Sequence, residues 1–186
     1  NESLLQQRRQ LQELAHAYRR SQVLLTCVEL GVFDALTAGS ATVIEIAKTI
    51  QADARAVEIL LNAATALGLV EKQGERFSNS AMAEVHLTRK KSGGMAHRLQ
   101  MEGALYRRWG NLAEAVRSGK RPKENQQDEQ PEGWVRTFIY GLYDNVRPVA
   151  PVVAEMLALP ADRPRRGWVV GGGKGVYCFA LGKGFL

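Results

Sequence analysis

Three pieces of one stretch decide the fold: Thr42-Val43-Ile44-Glu45, then Asp53-Ala54-Arg55-Ala56-Val57, then Leu69-Val70-Glu71-Lys72-Gln73-Gly74-Glu75-Arg76-Phe77-Ser78. The first places Thr and Glu at the three-residue offset of a capping box, which starts a short helix running to about Ile50. In the second, Asp53 caps a helix whose apolar face is Val57, Leu60, Leu61, Ala64 and Leu67. Gly68 follows at the position where a left-handed residue ends a helix. The third folds back on itself around Gln73-Gly74 as a short hairpin.

Upstream, residues 2–20 read as a polar helix with a narrow apolar seam. Leu4, Leu11 and Tyr18 recur at seven-residue spacing, joined by Leu5, Leu14 and Ala15. Such a seam packs against a partner helix or on its own domain. From Ser21 to Leu36 the apolar residues are nearly continuous, the mark of a central, buried helix, and Gly31 is placed to end or bend it. Helix, short helix, helix, hairpin is a winged helix-turn-helix. That fold binds DNA in many proteins, but a groove-reading helix needs Arg, Lys, Asn or Gln on its open face. Residues 53–67 offer Asp53, Arg55, Glu58 and Asn62, and the hairpin sets Glu71 and Glu75 against Lys72 and Arg76. A phosphate surface repels this unit more than it attracts it, so no nucleic-acid partner is expected.

Downstream, Ser80 caps another short helix through Leu87, and His86 and His97 lie in polar company as surface residues without a metal partner at helical spacing. After Ser92-Gly93-Gly94, one long helix is predicted from Met95 to about Arg117, with Gly119 closing it. Lys120 to Gly133 reads as a surface loop. Residues 134–159 resume as helix, with a kink or break required near Pro148 and Pro151. Pro160 to Gly167 is a basic connector.

The connector leads into Trp168-Val169-Val170-Gly171-Gly172-Gly173-Lys174-Gly175, followed by the apolar-periodic Val176 to Ala180. That order predicts strand, tight loop and helix N-terminus, a site where glycine lets backbone approach a ligand and free N–H groups favour a polar one. A P-loop needs Ser or Thr where Gly175 stands, and the G-x-G-x-x-G dinucleotide pattern needs glycine at Val176. The G-x-G-x-G spacing resembles the first glycine loop of S-adenosylmethionine-dependent methyltransferases.

The chain of 186 residues is ordinary globular material, 45% hydrophobic and 24% charged, with room for one domain and part of another. Its net charge of +6 is divided: residues 1–88 hold 8 Lys/Arg against 10 Asp/Glu, and residues 89–186 hold 17 against 9. The basic excess is scattered from Arg89-Lys90-Lys91 to Arg163-Pro164-Arg165-Arg166 and reads as solvated charge. No membrane span or signal peptide is visible, and Cys27 and Cys178 read as reduced core residues, so the expected location is cytoplasmic.

The whole order resembles the bacterial and plant-type small-molecule O-methyltransferases. The matching segments are Glu29-Leu30-Gly31-Val32-Phe33-Asp34-Ala35-Leu36, Arg55 to Val70, Trp109 to Gly119, and the glycine loop. The resemblance implies a mainly α fold: a winged helix-turn-helix dimerisation domain (1–91), a helical connector (92–160), and the first strand-loop-helix of a truncated α/β Rossmann-like domain (161–186). It implies methyl transfer from S-adenosylmethionine to a hydroxyl of a small aromatic or polyketide-like acceptor. It further implies an intertwined homodimer through residues 1–36 and the helix from Met95. Gly171, Gly172, Gly173 and Gly175 would then hold the cofactor, and Trp109, Phe138, Tyr140 and Tyr143 would roof the acceptor pocket, with core packing as the competing role for these aromatics. In the family the ribose-holding carboxylate and the catalytic His come later than Leu186, and His16, His86 and His97 do not match the base. The resemblance therefore implies no catalytic residue here and a chain lacking most of the catalytic domain. Val169 stands where the family carries an acid, and Lys174 where it carries a small or neutral residue. The alternative is a non-catalytic dimerisation or regulatory protein derived from a methyltransferase.

Overall fold

The computed structural model describes residues 2–89, 94–120, 133–157, 168 and 170–183. It divides into two compact units, Asn1–Lys91 and Ser92–Leu186. The fold is mainly α with one small sheet, and among the described residues no helix is long and apolar enough to cross a membrane.

In the first unit, α1 (Glu2–Leu30) is one continuous helix that joins the polar and apolar stretches. Gly31 ends it with a left-handed φ of 78°, a conformation that costs glycine nothing. Residues 2–21 are all exposed, and burial begins only with Leu25, Cys27 and Val28. The short α2 (Val32–Ala35) then sinks Val32 and Phe33 completely.

The predicted capping box is present at the start of α3 (Val43–Ile50). The Thr42 N–H donates to Glu45 Oε2 at 2.7 Å, and the Glu45 N–H donates to Thr42 Oγ1 at 3.4 Å. The Thr42 backbone N–H, with its hydroxyl second, holds the Glu45 carboxyl below the ordinary glutamate range. Asp53 caps α4 (Ala54–Ala66), accepting from the Ala56 N–H at 2.9 Å. At the other end Gly68 adopts φ 70°, and the N–H groups of Gly68 and Leu69 donate to Thr65 and Ala64, both at 2.9 Å. This is a Schellman stop, which satisfies two otherwise orphaned carbonyls. Val57, Leu61 and Ala64 are buried, while Leu60 and Leu67 at the edges are half-buried.

The hairpin is β2 (Val70–Gln73) with β3 (Arg76–Asn79), antiparallel, Lys72 opposite Phe77. A third strand, β1 (Ala41–Thr42), pairs with the far side of β3 to give the order β1-β3-β2. Two residues are too few to show a strand period, so β1 carried no sequence signal. Ser80 caps α5 (Ala81–His86), accepting from the Ala83 N–H at 3.3 Å. The core is Phe33, Ile46, Val57, Leu61 and Phe77, gathered from α2, α3, α4 and β3.

Arg89 is not simple solvated charge. Its N–H donates to Asp34 Oδ1 at 2.8 Å, and its guanidinium lies 3.3 Å from Asp34 Oδ2 while donating to the Val28 carbonyl at 2.9 Å. It thus satisfies a carbonyl at the end of α1, where a cation is favoured by the helix dipole.

In the second unit the expected helix from Met95 to Arg117 is two helices, α6 (Ala96–Trp109) and α7 (Leu112–Ser118). The break falls at Gly110-Asn111, two weak helix formers in a row. Gly119 closes α7 with φ 63°. The predicted break near Pro148 separates α8 (Trp134–Val146) from α9 (Ala150–Leu157). Most of the Lys120–Gly133 loop and the whole Pro160–Gly167 connector lie outside the described residues. The helix after the glycine cluster is α10 (Val176–Lys183), which packs on α9.

Two expectations are corrected here. No strand forms among the described residues before the glycine cluster: Trp168 and Val170 are 98% and 96% exposed. A parallel strand needs neighbours for its backbone groups, and the described residues of this segment pair with none. Val169 lies outside the described residues. Cys178 is exposed on α10, whereas Cys27 is buried as expected and burial pushes its thiol up to about 12.

Helices α6 and α8 pack closely because Gly141 is buried between them. A Cβ there would sit 3.2 Å from the His97 carbonyl oxygen and 3.4 Å from the Arg98 Cα. Gly141→Val should therefore push the two backbones apart and cost about 1–3 kcal/mol. All three tryptophans lie in this unit, so urea unfolding followed by their fluorescence reads it directly. An unchanged midpoint would show that the helices are not held at this distance. A thiol titration with a disulfide reagent should find Cys178 reacting at once and Cys27 only after denaturant is added. Two rapidly reacting thiols would contradict the burial of Cys27.

Candidate functional site

The glycine cluster forms a left-handed cradle in front of α10. Gly171, Gly173 and Gly175 have φ of 68°, 50° and 70°, a region that disfavours side chains. The Gly175 N–H donates to the Gly172 carbonyl at 2.7 Å, and the Phe179 N–H donates to Gly175 at 2.9 Å, so the loop turns directly into the helix. A Cβ at Gly171 or Gly173 would meet nothing within 4 Å, whereas at Gly175 it would lie 3.7 Å from the Phe179 ring. The outer two-thirds of the cradle is therefore open backbone. That fits a ligand approaching the main chain.

Beside it lies a cleft of about 400 Å³, lined among others by Tyr143, Asp144, Arg147, Val176, Phe179 and Ala180. The turn at Pro148, between the end of α8 at Val146 and the start of α9 at Ala150, forms part of its wall together with Pro151. Tyr140 and Tyr143 stand one turn apart on α8 and reach the same neighbour, Lys174 of the glycine loop. Its ammonium lies 3.0 Å from the Tyr140 ring centroid and 5.3 Å from that of Tyr143.

Behind these rings is a pair that the sequence did not single out. His97 stacks on Tyr140 with centroids 5.0 Å apart, and its Nδ1 lies 3.5 Å from Asp144 Oδ2. Asp144, with a side chain only 8% exposed, also accepts from the Arg98 N–H at 3.3 Å. Met95 supplies no side-chain cap to α6, so Asp144 of α8 does that work from a neighbouring helix. His97 is thus half-buried and partnered, where its polar sequence neighbours pointed to the surface. The missed signal is tertiary: Asp144 lies 47 positions away in the chain.

The four aromatics expected to share a pocket are distributed differently. Tyr143 lines the cleft, and Tyr140 is linked to it only through Lys174, which lies near both rings. Phe138 lies 6.1 Å from Trp134, centroid to centroid, and Trp109 is 68% exposed at the end of α6. Neither lines the cleft.

On the first unit, the open face of α4 offers Arg55, Glu58 and Ile59, and Asn62 is engaged by Lys72, whose Nζ donates to Asn62 Oδ1 at 3.1 Å. A second groove, about 420 Å³, runs between α3, α4 and the hairpin with charges of both signs: Arg55, Lys72, Glu58 and Glu75.

Comparison with known proteins places this architecture. Residues 12–89 match the O-methyltransferase dimerisation domain family. The chain is 33% identical over 117 residues to acetylserotonin O-methyltransferase of Rattus norvegicus, covering 60% of this chain and 26% of that protein. It is 42% identical over 77 residues to 3-hydroxy-5-methyl-1-naphthoate 3-O-methyltransferase of Streptomyces sahachiroi, covering 41% and 22%. Among solved structures it resembles human N-acetylserotonin methyltransferase in complex with SAM, at TM-score 0.74 and 27% identity, over 97% of this chain and 56% of that one. The chain therefore spans about a quarter of the curated relatives it matches and about half of the solved structure. Residues 12–89, with their helices, capped turns and hairpin, are thus similar to the O-methyltransferase dimerisation domain family.

Proposed function

We propose that this chain serves S-adenosylmethionine-dependent O-methylation of a hydroxyl on a small aromatic or polyketide-like molecule. In this reading residues 1–91 are a winged-helix dimerisation domain, 92–160 a helical connector, and 161–186 the beginning of the cofactor domain. The observation that carries it is the open, left-handed glycine cradle at the start of α10, in a chain whose first unit matches the dimerisation domain of O-methyltransferases. When bound, S-adenosylmethionine supplies an activated methyl group on a sulfonium. Gly171 and Gly173 would let it approach the main chain, and the cleft at Tyr143, Val176 and Phe179 offers apolar surface for a flat ring. Trp109 and Phe138, on the same two helices as the cleft's neighbours, would serve the acceptor only from outside the cleft. Val169 in place of an acid removes a polar anchor, which is the feature that favours the alternative of a non-catalytic, dimerising relative.

The partner in this reading is a second copy of the chain. The seam residues Leu4, Leu5, Leu11, Leu14 and Tyr18 are 66%, 59%, 68%, 76% and 49% exposed. Pairing two such helices, with the helix from Ala96 contributing, would cover the seam, and obligate interfaces of this kind bury on the order of 2,000 Å² or more. The mixed charges around α4 give a phosphate backbone nothing to follow, so neither nucleic acid nor membrane is a partner in this reading.

Two measurements test this reading. Light scattering at micromolar concentration should give twice the chain mass, and replacing Leu11 and Leu14 with Asp should halve it or unfold the protein. A monomeric wild type would remove the dimer. Calorimetry should detect S-adenosylmethionine binding to the wild-type chain and at least ten-fold weaker binding to Gly173→Val, because a β-branched side chain does not tolerate φ near 50° and would fill the open backbone. Equal affinity in the variant would show that the loop is structural only.

A further inference from the structure

Lys174 makes an unusual choice of partner. Its ammonium makes no ion pair among the described residues. It lies instead over the face of Tyr140 and beside Tyr143, half-buried, when the four-carbon stem of a loop lysine would reach solvent at little cost. Other cations gather on the same two rings. The Arg136 guanidinium carbon is 5.5 Å from the Tyr140 centroid, and that of Arg147 is 5.9 Å from the Tyr143 centroid. The Tyr140 ring is also fixed from behind, since His97 stacks on it and Asp144 holds His97. The buried Asp144 carboxylate, one position from Tyr143, adds negative potential close to the rings.

Two electron-rich faces one turn apart, one of them fixed by His97, with a carboxylate nearby and a cleft of about 400 Å³ at Tyr143, are the parts of an onium-binding site. Tertiary sulfonium and quaternary ammonium groups cannot donate hydrogen bonds as an ammonium does, so aromatic faces are the recognition open to them. We infer that Tyr140 and Tyr143 form a binding site for a sulfonium or quaternary ammonium centre, and that Lys174 is its tethered occupant. A ligand carrying such a centre displaces Lys174 from the rings and in doing so frees the glycine loop that Lys174 pins to α8. This deepens the cofactor reading above, because S-adenosylmethionine is a sulfonium while its demethylated product is neutral. It also gives a physical role to the one charged residue within the glycine cluster.

The test uses the simplest onium and needs no cofactor. Tetramethylammonium chloride is titrated into wild type, Lys174→Ala and Lys174→Met, with Tyr140 and Tyr143 ring protons followed by NMR and tert-butanol as a neutral control of similar size. Both variants should show saturable ring shifts at a midpoint about ten-fold lower than wild type, the change expected when a competing cation–π contact is removed. Tert-butanol should produce no saturable shift, and adding Tyr140→Leu to Lys174→Met should abolish the tetramethylammonium response. Absence of saturation in both lysine variants, equal midpoints in wild type and variants, or an equal response to tert-butanol would each overturn the inference. A second arm separates it from the cofactor reading. Lys174→Met should raise the affinity for S-adenosylmethionine relative to S-adenosylhomocysteine, and an unchanged ratio would count against Lys174 as the competitor. If tetramethylammonium binds as expected while neither cofactor form binds any version of the chain, the onium site stands and the cofactor assignment falls.

Discussion

The first unit depends on how α1 divides its length between core and solvent. A helix of 29 residues extends about 43 Å, yet only its last third has a core to lie on. Leu25, Cys27 and Val28 are buried, α1 packs against α2 and α4, and Phe33 and Leu61 complete the same apolar volume. The junction that makes this possible is small. Gly31 turns the chain in a left-handed conformation that few other residues adopt without strain, and Arg89 closes over the turn by joining Asp34 to the last carbonyls of α1. The remaining two-thirds of the helix carries leucines that are exposed: Leu4, Leu5, Leu11 and Leu14. Isolated helical segments are marginal in water, and an exposed apolar seam is the kind of surface that the proposed second copy would cover.

The second unit is organised by interruptions. Gly110-Asn111 divides what its apolar pattern drew as one helix, and Pro148 divides another. Gly141 lets α6 and α8 approach until their backbones nearly touch. That closeness brings Asp144 to the first turn of α6, where it accepts a backbone N–H and meets His97. Tyr140 of α8 is thereby held by His97, and both tyrosines of α8 lie near Lys174 of the glycine loop. A site of this kind is built on helices, whose rotamers are fixed by packing, and completed by a loop whose residues can move.

Local chemistry made most of the first unit legible in the sequence. Thr42 with Glu45, Asp53, Gly68, Gln73-Gly74 and Ser80 each act within a few residues of their own position, and each does what its type and offset require. The same holds for Gly119 and Pro148. The glycine cluster likewise showed its left-handed cradle before α10, because positive φ is a property of glycine itself.

What the sequence by itself determined, then, is where helices begin and stop, where the hairpin turns, and that the chain is mainly α with a glycine cradle near residue 171. Tertiary structure alone decided the rest: β1 joining β3, Arg89 reaching Asp34, Asp144 capping α6, Lys174 settling on Tyr140, and the exposure of Trp168, Val170 and Cys178. Each of these joins residues far apart in the chain or depends on whether a neighbour arrives to cover a surface. Caps and turns are governed by backbone geometry over three or four residues, which type and spacing encode directly. Distant contacts depend on where whole helices come to lie, and no short-range pattern carries that information.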